Sequence, residues 1–127
     1  MVRVFVFEES PGLSDRLLER LSVIPELSVV GIARNLMDAV RQITTKSPDV
    51  VITDPELAEG GGLALLHMLH QRREVKGTGP RVLLWTGDRD PRRWAIAQGL
   101  GVEARFDKAR EVDLLVERCR RAAAENG

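Results

Sequence analysis

Cysteine is nearly missing from this chain: one occurs in 127 residues, so no internal disulfide can form, and the sequence suits a reducing compartment. An excess of either charge is missing too. With 19 basic and 19 acidic residues the formal net charge is +0, which argues against direct nucleic-acid binding, where a basic surplus is usual. No apolar run approaches the roughly 20 residues of a membrane-spanning helix. The run from Met1 to Phe7 is short for a signal peptide and is followed at once by acids. A cytoplasmic protein without membrane contact is expected. Internal repeats and low-complexity linkers are also lacking. What is present, 43% hydrophobic and 30% charged residues, is the composition of a globular protein with a real core rather than of a disordered one. The length suits one compact domain over residues 1–127. Whether that domain stands alone or belongs to a longer chain is left open.

The hydrophobic pattern alternates between two periods. Val2 to Phe7 is β-branched and aromatic and reads as a strand, and Leu13, Leu17, Leu18, Leu21 and Ile24 then recur at helical spacing. Ser10 before Pro11 is a helix start, since proline suits the first helical position. Leu27 to Ala33 is a second strand, and Leu36, Ala39, Val40 and Ile43 mark a helix ended by Ser47-Pro48. Val50 to Thr53 is a short continuous apolar strand, followed by a helix carrying Leu63, Leu66 and Leu69 on one face. Val82 to Trp85 is the fourth strand, Arg92 to Gln98 a short helix opened by Asp90-Pro91, and Val102 to Phe106 a weaker fifth strand. Val112, Leu115, Val116 and Cys119 stripe a last helix that frays from Ala122 to Gly127.

Five strand–helix units in succession predict an α/β fold with a parallel sheet covered on both faces by five helices, joined by right-handed crossovers. Strands one, three and four are near-continuous apolar runs, as central strands are. Strands two and five carry Ser28, Glu103 and Arg105, as edges do. The pattern matches the flavodoxin-like, doubly wound, five-stranded order 2-1-3-4-5.

In such sheets ligands bind at the carboxyl ends of the strands. Strand one ends in Glu8-Glu9, strand three in Asp54, strand four in Thr86-Gly87-Asp88, and strand five in Asp107-Lys108. In that strand order these ends are neighbours, so carboxylates, a hydroxyl and an ammonium surround one point. Clustered carboxylates call for a cation, and a hard ion such as Mg²⁺ prefers oxygen ligands. Asp54 is then the natural nucleophile toward a phosphoryl group. Lys108 and the metal would neutralise the transferring oxygens, and Thr86 would donate a hydrogen bond.

Over its whole length the chain resembles the response-regulator receiver domains of two-component systems. In that family an acidic pair after strand one binds the metal, a phosphorylated aspartate ends strand three, Thr or Ser ends strand four before a small residue, and a lysine follows strand five. Glu8-Glu9, Asp54, Thr86-Gly87 and Lys108 stand at those positions. The resemblance implies Mg²⁺ or Mn²⁺ held by Glu8, Glu9, Asp54 and the main-chain carbonyl of Glu56, and Gly62 matches the glycine that precedes the third helix. It also implies a sensor histidine kinase or histidine phosphotransfer protein as donor and a downstream effector protein as recipient. The output face is built from the fourth helix, fifth strand and fifth helix, with Trp94, Arg105 and Phe106 on it, and a homodimer through that face is left open. Thr86 and the position of Arg105 are the switch residues. No enzymatic activity is expected beyond the domain's own phosphorylation and dephosphorylation.

The departures from the family pattern are equally readable. The acidic pair is usually Asp-Asp or Glu-Asp; Glu9 is longer by about 1.5 Å, which implies a metal that sits differently or binds weakly. Ala58 replaces a usual proline. Ala109 replaces a proline often preceded by a cis peptide, a bond that costs roughly 2.5–4 kcal/mol before other residues, so that loop is expected to differ. Arg105 replaces an aromatic switch residue. Glu9, Ala58 and Arg105 motivate an alternative: a pseudo-receiver that binds partners without phosphorylation. A dehalogenase-like phosphatase would need a second acid where Glu56 stands, and a flavodoxin would not tolerate Glu8-Glu9 beside a flavin phosphate. Gly60-Gly61-Gly62 lacks the Lys-Ser/Thr of a P-loop and reads as a flexible loop. His67, His70 and Glu74 read as a solvated flank, Cys119 as a small core residue, and the pairs Arg72-Arg73, Arg92-Arg93 and Arg120-Arg121 as solvated faces or partner contacts.

Overall fold

The computed structural model describes residues 1–57 and 61–126, so Ala58 and Gly60 lie outside the described residues. Strands and helices alternate throughout: β1 (Val2–Phe7), α1 (Pro11–Ser22), β2 (Leu27–Ala33), α2 (Leu36–Lys46), β3 (Val50–Thr53), α3 (Gly61–Lys76), β4 (Arg81–Thr86), α4 (Pro91–Gly99), β5 (Val102–Asp107) and α5 (Val112–Asn126). All neighbouring strands are parallel, in the order β2-β1-β3-β4-β5. No described helix is long and apolar enough to cross a membrane.

Local chemistry fixes the helix starts. The Ser10 hydroxyl accepts from the Leu13 N–H, Asn35 accepts from Asp38, and Asp90 accepts from Arg92, so each cap satisfies an orphan donor of the first turn. Pro11 and Pro91 follow their caps, where a missing N–H costs nothing. Helix α2 stops at Ser47, whose φ of 46° turns the chain before Pro48.

Side chains alternate across the sheet and build two cores. Val2, Val4, Val6, Ile52, Leu83 and Trp85 pack under α1 and α5 against Leu17, Leu21, Leu115 and Cys119. Phe5, Phe7, Val51 and Leu84 pack against α2, α3 and α4 through Ile43, Leu65, Leu66, Leu69 and Ala97. Strands β1, β3 and β4 are buried on both faces, which is why they read as unbroken apolar runs.

Four expectations need correction. Gly61 and Gly62 are not in a flexible loop: they form the buried first turn of α3. Leu63 is exposed, and the inward face of α3 is Gly62, Leu65, Leu66 and Leu69, the i, i+3, i+4, i+7 pattern of a core-facing helix. Helix α5 does not fray at Ala122, which is buried; the helix runs to Asn126. Phe106 does not lie on a surface but in the core beneath α5.

Candidate functional site

The buried polar side chains concentrate at the carboxyl ends of the strands: Glu8 after β1, Thr53 and Asp54 at the end of β3, Thr86 at the end of β4. Lys108, just beyond β5, ties two of them together. Its Nζ lies 2.5 Å from Glu8 Oε1 and 2.8 Å from Asp54 Oδ2. The Lys108 N–H donates to the Thr86 carbonyl at 3.2 Å, which holds the start of the next loop against β4. Burial alone would depress the Lys108 ammonium, but the bonds to Asp54 and Glu8 outweigh it and raise its pKa above the ordinary lysine value.

The remaining carboxylate oxygens are held as well. Glu8 Oε2 accepts from the Ser10 N–H at 3.0 Å, and Asp54 Oδ1 accepts from the Glu56 N–H at 2.9 Å. Asp54 is further fixed through its own carbonyl. Gly62 packs so closely that a Cβ there would stand 1.7 Å from the Asp54 carbonyl oxygen, a separation no side chain can adopt. The glycine therefore sets how near α3 comes to the end of β3.

Glu8, Asp54 and Lys108 thus converge as their strand ends require, with Thr86 buried beside them. The Thr86 hydroxyl accepts from the Asp88 N–H at 3.0 Å. Glu9, next along the chain, is exposed. The Glu56 side chain is also exposed and lies 3.9 Å from Arg93. Arg105 is exposed and stacks over Trp94, 5.1 Å from the ring centroid. No cis peptide occurs among the described residues, so Lys108 and Ala109 are joined in trans. His70 pairs loosely with Glu74 at 3.8 Å.

Arg93 was missed as a site residue. From the third position of α4 its guanidinium reaches Asp88 at 3.1 Å and Glu56 at 3.9 Å, spanning two loops. Nothing in its spacing separates it from the solvated Arg92 beside it.

The donor set fits a hard divalent cation. Two buried carboxylates share a single ammonium, leaving one negative charge over. Mg²⁺ is commonly held by one or two carboxylates together with water and phosphate oxygens. Among the described residues no three His, Cys, Asp or Glu side chains converge on one point, so the fit is to a site of that open kind and not to a closed cage.

Comparison with known proteins bears on the family and the fold. The family described as the response regulator receiver domain matches residues 4–120. Among curated relatives, a protein-glutamate methylesterase/protein-glutamine glutaminase of Agrobacterium fabrum is 37% identical over 75 residues, which is 59% of this chain and 21% of that protein. The DNA-binding transcriptional activator DevR/DosR of Mycobacterium tuberculosis is 33% identical over 72 residues, 57% of this chain and 33% of that protein. The matched segments therefore span a fifth to a third of these relatives. Among solved structures, the response regulator domain of Thermotoga maritima CheB superposes with a TM-score of 0.83 at 20% identity, covering 98% of this chain and 97% of that one. The signal receiver domain of a DNA-binding response regulator from Colwellia psychrerythraea gives 0.84 at 23% identity, covering 98% and 99%; at such identities the likeness is one of fold. With a family match over residues 4–120, nearly the whole chain, this chain belongs to the response regulator receiver domains.

Proposed function

We propose that Asp54 accepts a phosphoryl group from a phosphohistidine of a sensor histidine kinase or histidine phosphotransfer protein. An Asp54 carboxylate oxygen attacks phosphorus, the P–O bond forms as the P–N bond breaks, and the bond pair goes to the ring, which leaves as neutral imidazole keeping the proton already on its other nitrogen. The observation that carries this reading is the Glu8–Lys108–Asp54 bridge: a buried nucleophile at the end of a central strand, oriented by the Glu56 N–H and held against one ammonium. Lys108 stays protonated at neutral pH and faces the oxygens on which charge accumulates. The Thr86 hydroxyl, which accepts from Asp88, keeps its own proton to donate.

Glu8 and Asp54 would hold Mg²⁺ or Mn²⁺, with the main-chain carbonyl of Glu56 and, from the exposed side, Glu9. Such an ion supplies charge neutralisation between the acceptor and the transferring group. The domain acts in signalling, with no chemistry beyond its own phosphorylation and dephosphorylation. A phosphoryl group adds a charge of about −1.5 to −2 at Asp54. That charge biases a pre-existing equilibrium of Thr86 and the surface of α4, β5 and α5, where a downstream effector protein docks. With Arg105 stacked on Trp94 rather than an aromatic ring at that position, the switch in this chain moves a guanidinium.

The test is intact-mass measurement after incubation with Mg²⁺ and acetyl phosphate, beside Asp54→Asn and an EDTA control. One phosphoryl mass, lost in both controls, is the expected result. An unchanged mass in the parent chain would replace this reading with that of a pseudo-receiver, which binds its partners unmodified.

A further inference from the structure

Building on Asp54 as the phosphoryl acceptor, we infer that Arg93 governs the entry of anionic phosphodonors by cancelling the charge of Glu56 and Asp88 at the mouth of the site. The two acids stand on the two loops that flank Asp54. Glu56 gives its N–H to the Asp54 carboxylate, so its own side chain leaves the backbone immediately beside the acceptor. Asp88 gives its N–H to the Thr86 hydroxyl. Its Oδ1 is fixed by the Asp90 N–H at 3.0 Å, which leaves Oδ2 for Arg93. Arg93 Nη1 then lies 3.1 Å from Asp88 Oδ2 and 3.9 Å from Glu56 Oε1, in a crevice it shares with Pro55, Thr86 and Arg105.

Arg105 also acts on Asp88 through space, more weakly than Arg93, and the neighbouring cations have contacts of their own. Arg105 stacks on Trp94, and Arg89 pairs with Asp107 at 3.2 Å. The Asp88 carboxyl is held below the usual carboxylate range, first by the Asp90 N–H and then by Arg93, so it is ionised whenever a donor approaches at neutral pH. Without Arg93, an incoming phosphoryl group would meet both carboxylates on its way to a third. Among the described residues Arg93 pairs with Asp88 and Glu56 and not with Asp54 or Lys108; it is a positioning residue that sets the field at the entrance, and like other steering charges it acts on the rate of encounter.

Initial rates of Asp54 phosphorylation by acetyl phosphate with saturating Mg²⁺, followed by intact mass at low and high ionic strength, test this. Arg93→Gln is expected to slow the reaction about three- to tenfold at low salt, Arg93→Lys to retain most of the rate, and the difference to close at high salt. Adding Asp88→Asn to Arg93→Gln is expected to restore much of the loss, because the acid left unpaired is then gone. Arg93 is exposed, so its variants fold; a melting curve checks this. A rate equal to the parent's, or a loss that neither salt nor Asp88→Asn relieves, would overturn the inference while leaving Asp54 as acceptor. A parent chain that takes up no phosphoryl group would overturn both.

Discussion

One cation held between two carboxylates occurs at both ends of this sheet, and the two bridges differ in what surrounds them. At the carboxyl end Lys108 joins Glu8 and Asp54, whose side chains keep 3% and 5% of their surface. At the amino end Arg81 joins Glu103 at 2.8 Å and Glu125 at 2.6 Å, which keep 28% and 46%. Arg118 also reaches Glu103, at 3.2 Å, and Arg121 reaches Glu125, at 3.9 Å, so the lower bridge carries more cations than acids. The upper one has two acids and one cation. The lower bridge is fully neutralised and partly open to water, and fastens β4, β5 and α5 together. The upper one is buried and short of positive charge, which is a poor way to stabilise a fold and suits the proposed binding of a divalent ion and acceptance of a phosphoryl group.

The difference can be broken most sharply at Lys108. Lys108→Met leaves two buried carboxylates facing each other, and urea unfolding at neutral pH without Mg²⁺ is expected to show a loss of about 3–5 kcal/mol. A second contrast comes from the ion itself. Mg²⁺ at a hundred times its dissociation constant is expected to stabilise the parent chain by about 2.7 kcal/mol. Glu8→Gln, which balances the upper bridge, is expected to shrink that gain in a thermal melt. Arg81→Met, by comparison, is expected to cost no more than about 1 kcal/mol, since its acids stay solvated; a loss as large as that of Lys108→Met would erase the distinction. The smallest effect is alkaline. Lys108 has its pKa raised in the fold, so its contribution is complete below the unfolded lysine value of about 10.4 and fades as pH rises through the higher folded value. The guanidinium of Arg81 stays charged throughout. Parent and Lys108→Met stabilities should therefore converge above that pH, while parent and Arg81→Met should keep their separation.

The order of elements and the convergence of Glu8, Asp54 and Lys108 could be read from the sequence because both follow from rules of chain direction: apolar periods mark strands and helices, and parallel sheets gather their strand ends on one side. The inward face of α3 could not. Leu63, Leu66 and Leu69 make a plausible stripe, but the helix is rotated by the close approach of Gly62 to the Asp54 carbonyl, and a glycine adds no apolar signal to a periodicity. Phe106 was misplaced for a related reason: a weak edge strand shows little alternation, so which of Arg105 and Phe106 points inward is decided by its pairing with Trp85 on β4. Arg93 escaped because its role depends on where two loops bring Glu56 and Asp88, and loop geometry leaves no periodic trace.

Trp85 lies wholly within the core, with no hydrogen-bond partner for its indole N–H among the described residues, and its ring centroid is 5.6 Å from the Lys108 ammonium. An indole so placed is screened from water but not from the charge beside it. The chain thus carries its own optical gauge of the site: whatever draws Lys108 toward or away from Asp54 alters the field across a buried chromophore, and can be followed by emission colour without attaching a dye.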